Sequence, residues 1–163
     1  MAADVPRCPA RFVFVNLHSQ DLLDEHLYQN DSPLSRVAER VVLEVTERAS
    51  LAAIDDTEAR MTRLRDLGFR IALDDLGAGY SGLSSFTTLQ PEVVKYDMSL
   101  VRGVEASLTR RKVISSMTTL FAEMGTEVVA EGVETESERD ALVALGVDLL
   151  QGYLFAKPSR GFV

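Results

Sequence analysis

The sequence predicts an α/β chain: a partial TIM-type (β/α) barrel with about six of eight βα units and parallel strands. Three observations carry that expectation. Short apolar runs alternate with longer helical patterns at roughly 25–30 residues per unit, the mark of parallel βα units. Each apolar run ends in a polar residue at or near its C-terminal edge. No linker or low-complexity tract interrupts residues 11–163, which read as one domain behind a loose leader at residues 1–10.

In chain order, FVFVNL (residues 12–17) reads as the first strand, and weaker helical patterns follow at residues 20–29 and 34–40. VVLEVT (41–46) is the second strand, its β-branched residues favouring extended chain. DDTEARMTRLRDLG (55–68) spaces Met61, Leu64 and Leu67 along one helical face and stops at a glycine. RIALDD (70–75) is the third strand, and LSSFTTL (83–89) is a helix after its glycine-rich turn. VVKYD (93–97) is the fourth strand, and the next helical pattern (107–125) also ends on glycine. EVVAE (127–131) is the fifth. TESERDALVALG (135–146) opens with Thr135 and Glu138 in capping-box spacing. VDLLQ (147–151) is a short sixth strand.

Composition narrows the function. The 163 residues are 46% hydrophobic and 26% charged, which fits a globular domain. A net charge of -8 argues against a sequence-independent grip on DNA. No apolar run approaches a membrane span, and the N-terminus lacks the apolar core of a signal peptide. The single Cys8 rules out an intrachain disulfide framework. A cytoplasmic location is the expectation.

The polar strand ends are Asn16, Glu44, Asp74 with Asp75, Lys95 with Asp97, Glu131 and Gln151. In a barrel, strand C-termini form the active-site face. An open doubly wound sheet binds at one crevice instead. Alternation alone leaves both architectures open; six polar strand ends suit a closed or nearly closed ring better. On the fourth strand Lys95 and Asp97 share a face. On the third, Asp74 shares its face with the small Ala72. Asp75 points the other way unless the strand ends there, which the glycines after it permit.

A lone carboxylate at a strand end is most often a cap, and Glu134 beside Thr135 invites that reading. Joint placement on one edge lifts the set above it. Asn16, Glu44, Asp74, Asp75 and Glu131 offer only oxygen ligands, which suit hard cations. His18 and His26 lack ligand spacing, so a zinc centre is not expected. Crowded carboxylates repel unless cations sit among them, and there are enough for two metals. Two metals can activate a water and stabilise the leaving oxygen of a phosphodiester. Lys95, the one cation of the ring, suits orientation and charge compensation, because neighbouring carboxylates oppose a neutral lysine base.

DDLGAGYSG (74–82) also fits G-x-G-x-x-G, at Gly77, Gly79 and Gly82. A phosphate on the following helix would face Asp74 and Asp75 and be repelled. The better reading has the aspartates hold metals and the metals hold the phosphate, while the glycines make the loop movable.

At these residues the chain resembles the EAL-domain family of cyclic di-GMP phosphodiesterases. LEVTE (43–47) resembles its E-x-T-E segment, and DDLGAGYSGL resembles D-D-F-G-x-G-Y-S-S-L. VKYDMSLV, VVAEGVET and QGYLFAKP resemble K-I-D-x-S-F-V, A-E-G-V-E-T and Q-G-Y-x-F-x-x-P, in the family's order. The resemblance implies a barrel that hydrolyses cyclic di-GMP to linear pGpG with Mg²⁺ or Mn²⁺. It implies Asn16, Glu44 and Asp74 as ligands of one metal, Asp74 bridging to a second held by Asp75, and Glu131 assisting. Lys95 would contact the attacking water. Glu134 and Gln151 would line the substrate pocket. Glu47 would anchor the loop of Gly77, Gly79, Tyr80 and Ser81, with Asp97 beside it, where the family tends to dimerise.

Leu76 and Gly82 depart mildly from the motif. The larger departure is that no E-A-L segment precedes Asn16, so one metal-ligating Glu and a phosphate-binding Arg of the family have no counterpart here. The expectation is either a piece of a longer parent, with sensory or GGDEF-type domains, or a short homologue that pairs its open edge with another chain. Impaired hydrolysis and self-association, such as a homodimer, follow. The competing reading is a non-catalytic cyclic di-GMP receptor or protein-interaction module. An unrelated metal-dependent barrel enzyme is a third.

Overall fold

The structure is a computed structural model of the chain and describes residues 12–46, 54–79 and 82–159. Six parallel strands lie side by side in chain order: β1 (Val13–Asn16), β2 (Val41–Thr46), β3 (Arg70–Leu76), β4 (Val93–Tyr96), β5 (Glu127–Ala130) and β6 (Leu149–Leu150). A doubly wound sheet reverses its strand order at a switch point. This sheet has no reversal, and it curls into a half-barrel. Among the described residues nothing pairs with the outer edges of β1 and β6.

Helices connect the strands: α1 (Thr57–Asp66), α2 (Gly82–Leu89), the single turn α3 (Met98–Val101), α4 (Leu108–Glu123) and α5 (Glu136–Ala144). The weaker helical patterns at residues 20–29 and 34–40 form 3-10 turns, Ser19–Leu23, Glu25–Tyr28 and Ser35–Arg40. Local polar bonds explain the first two. His18 and Asp24 each accept a backbone N–H at a turn start, breaking the run into pieces too short for α-helix. The sixth strand shrinks to two residues.

Side chains alternate across the sheet and build two cores. On the outer face, Leu43, Ile71, Leu73, Val94, Tyr96 and Val128 pack under Met61, Leu64, Phe86, Ile114, Phe121 and Leu142 of the helices. Each such buried side chain contributes about 1.5–3 kcal/mol. On the inner face, Val42, Ala72, Val93 and Val129 form a separate cluster with Phe12 packed against it. Beneath this layer Arg70 pairs with Glu127 at 2.6 Å and lies over the Phe12 ring. Two residues beyond the inner four, on the same face, stand Glu44, Asp74, Lys95 and Glu131. The apolar layer is therefore the floor of a polar rim.

Candidate functional site

Parallel register sets the rim. Asn16 pairs with Glu44 across β1 and β2, Glu44 with Ala72 across β2 and β3, and Lys95 with Val129 across β4 and β5. The stagger brings side chains from four strands to one place. Lys95 lies at the centre, 5% exposed. Its Nζ touches Glu44 Oε1 and lies 3.2 Å from Asp74 Oδ1 and 2.5 Å from Glu131 Oε1. The Phe14 ring of β1 stands 5.7 Å away, completing the wall.

Asp75 reaches the rim by a route that corrects the sequence reading. β3 does not end at Asp74; it runs to Leu76 with an irregular register between Leu73 and Leu76. Asp75 takes a left-handed φ of 59°, and its N–H donates to Asp74 Oδ1 at 3.0 Å. A bulge lets two consecutive residues aim the same way, where regular pleating would oppose them. Strand parity cannot anticipate it. Carboxylate oxygens of Asp74, Asp75 and Glu131 then lie within 4.8 Å of one another, close enough to share a cation.

Charge makes the same demand. One ammonium faces three carboxylates, with Asp75 beside them. Burial raises the Glu44 pKa above the ordinary carboxylate range; Lys95 offsets this only in part, and Asp74 and Asp75 add to it. Glu131 is raised by burial in the same way, with Lys95 opposing and Asp74 and Glu44 adding. For Lys95, burial alone would lower the pKa. Contacts with Glu131 and Glu44 and the field of Asp74 win, so it is held above an ordinary lysine. Lys95 is thus a fixed cation, which fits charge compensation and orientation rather than a neutral base. The buried Glu44 Oε1 meets the ammonium directly. Among the described residues, an all-oxygen donor set with more carboxylates than cations fits a hard divalent cation.

The other expected residues spread around this centre. Asn16 is exposed at the end of β1 and lines a cleft with Asp21, Asp24 and His26. Gln151 is exposed past β6, its main chain bonded to Ala130 and Val133. Asp97 caps α3, accepting the Ser99 N–H at 2.9 Å. Gly77 has φ 110°, and a Cβ there would strike the Leu100 side chain, so glycine is required. Gly79 follows in an exposed bend. Glu47, Tyr80 and Ser81 lie outside the described residues. Glu134 is not an isolated neighbour of the Thr135 cap: its carboxylate pairs with Arg102 at 2.8 Å. Arg102 escapes sequence reading because nothing nearby marks it; the one signal was Glu138 of the capping box, which Arg102 also meets.

Comparison with known proteins supplies the family context. Residues 2–158 match the sequence profile of the EAL domain. The chain is 34% identical over 147 residues to the cyclic di-GMP phosphodiesterase RocR of Pseudomonas aeruginosa, covering 88% of this chain and 38% of RocR. It therefore spans well under half the length of that relative. Among solved structures it is similar to Klebsiella pneumoniae BlrP1 in a calcium and cyclic di-GMP complex: TM-score 0.82, 36% identity, 93% of this chain and 41% of that one. A manganese and cyclic di-GMP complex of BlrP1 aligns at TM-score 0.80, with 33% identity over 96% of this chain and 41% of that one. A standalone EAL protein of Vibrio cholerae O395 with cyclic di-GMP bound aligns at TM-score 0.79 and 30% identity, over 97% of this chain and 69% of that one.

Proposed function

The chain belongs to the EAL-domain family, and from that membership we propose that its carboxylate rim serves metal-dependent hydrolysis of cyclic di-GMP to linear pGpG. The observation that carries this reading is the meeting of Asp74, Asp75 and Glu131 around the buried cation Lys95. Asp74, Asp75 and Glu131 would hold Mg²⁺ or Mn²⁺, with Glu44 and Asn16 completing the donors. Metal bound there would acidify a water and steady the leaving oxygen of the phosphodiester. Lys95 orients that water and balances charge on the phosphoryl oxygens. The apolar floor of Val42, Ala72, Val93 and Val129 shuts solvent out from below. Glu134 and Gln151 would line the substrate pocket, and Glu47 would anchor the loop of Gly77, Gly79, Tyr80 and Ser81, with Asp97 beside it, that couples metal to substrate.

The competing reading is a receptor that binds cyclic di-GMP without cleaving it. The outer edges of β1 and β6, unpaired among the described residues, support pairing with a second copy or with further barrel strands of a longer parent carrying sensory or GGDEF-type domains. The family supports a cytoplasmic setting; no described helix is long and apolar enough to cross a membrane.

Chromatography of cyclic di-GMP incubated with the chain tests the proposal. The expected result is pGpG formation with Mn²⁺ that stops in EDTA. Tight binding without pGpG assigns the receptor reading, and neither binding nor product overturns both.

A further inference from the structure

The connection after β5 carries both Glu131 and Glu134, and it is tied down from outside the rim. Glu138, in the first turn of α5, is 2% exposed. Its Oε2 accepts the N–H of Glu134 at 3.0 Å and of Thr135 at 3.2 Å. Its Oε1 accepts the N–H of Gly103 at 3.2 Å, from the connection after β4. Burial alone would raise the Glu138 pKa, but those three N–H donors and Arg102 win and lower it, so the carboxylate is charged. One buried anion thus joins two neighbouring loops.

Arg102 completes the joint. Its guanidinium reaches Glu134 at 2.8 Å and Glu138 at 3.4 Å, and donates to the Gly132 carbonyl at 3.3 Å. Its own carbonyl accepts from Arg110 of α4. Gly103 turns with φ 67°, which lets the chain bring both its N–H and Arg102 toward Glu138. A planar, forked cation can hold two carboxylates and a carbonyl at once, which lysine's single ammonium cannot.

We propose that Arg102 is a positioning residue of this site: it clamps residues 131–135 to the connection after β4 and neutralises Glu134 beside the path of an anionic ligand. Freed from Arg102, Glu134 would add negative charge where a phosphodiester must approach, and the segment bearing Glu131 would loosen. The ligand in this proposal rests on the cyclic di-GMP reading above; the clamp itself does not.

The test uses the full chain as wild type, R102A, R102K, E134Q and R102A/E134Q. Amide hydrogen exchange reads the clamp without ligand: Glu134 and Thr135 exchange at least about fivefold faster in R102A and partly recover in R102K. Unchanged exchange overturns the clamp. Calorimetric titration with cyclic di-GMP and Ca²⁺ reads the consequence: R102A weakens binding about fivefold, R102K restores part, and R102A adds nothing in the E134Q background. An equal loss in both backgrounds overturns action through Glu134 and assigns Arg102 a general structural role. A wild type that binds no cyclic di-GMP defeats the ligand reading, and amide exchange still decides the clamp.

Discussion

Replacing Lys95 with methionine removes the ammonium that three carboxylates share and keeps most of its volume. Lys95 is 5% exposed and contacts Glu44, Asp74 and Glu131. Deleting one member of a buried ion pair commonly costs about 3–5 kcal/mol, because the partners stay buried and uncompensated. Here Glu44 and Glu131 already hold protons above the usual carboxylate range, so they can neutralise in response. The expected loss lies near the lower end, about 3 kcal/mol. For a domain of this size that is a fall of about 6–12 °C in Tm.

The sign with pH follows from those two glutamates. Their folded pKa values lie above the unfolded ones, so between the two the folded state binds more protons, and stability falls as pH rises through that window. The K95M penalty should therefore be full at pH 7.5 and shrink toward pH 4.5. Divalent cation should take over the lysine's role, so millimolar Mn²⁺ raises the Tm of K95M more than that of wild type. The assay is thermal unfolding followed by circular dichroism, at both pH values, with EDTA or Mn²⁺. K95M melting with wild type in EDTA at pH 7.5 would refute the buried-counterion argument.

Three further outcomes are expected. E138A lowers stability at pH 7 by about 1–3 kcal/mol, since it removes the buried carboxylate that three backbone N–H groups and Arg102 share; because the folded Glu138 pKa is depressed, the wild-type advantage is full above the usual carboxylate range and fades as pH drops through the depressed value, as urea melts at several pH values will show. G152A should destabilise by about 1–3 kcal/mol in the same melts, because a Cβ at Gly152 meets backbone atoms of Val133 rather than a flexible side chain. Sedimentation should show association of the isolated chain through its open strand edges, and a concentration-independent monomer would count against that.

Much of the fold was legible because short apolar, β-branched runs and glycine stops are local signals. β2 begins and ends where VVLEVT does, and α5 starts at its capping box. The rim was legible for a related reason. Residues at equivalent ends of parallel strands must share an edge, so Glu44, Lys95 and Glu131 could be grouped without contacts. Asp75 was only half legible, since its aim depends on a bulge that breaks the parity used to read it. Asp97 shares parity with Lys95, but the chain turns after Tyr96 and the carboxylate becomes a cap. Arg102 was invisible because the carboxylates and carbonyl its guanidinium meets lie thirty or more residues away, and only the folded loops bring them together.

In the proposed site Asp74 and Asp75 hold the cation through which cyclic di-GMP is bound. Calorimetric titration of cyclic di-GMP into wild type and D75N, each with Mn²⁺ and with EDTA, tests it most directly. Wild type should bind only with Mn²⁺, and D75N at least tenfold more weakly. Equal affinity in EDTA and Mn²⁺, or no loss in D75N, would contradict it.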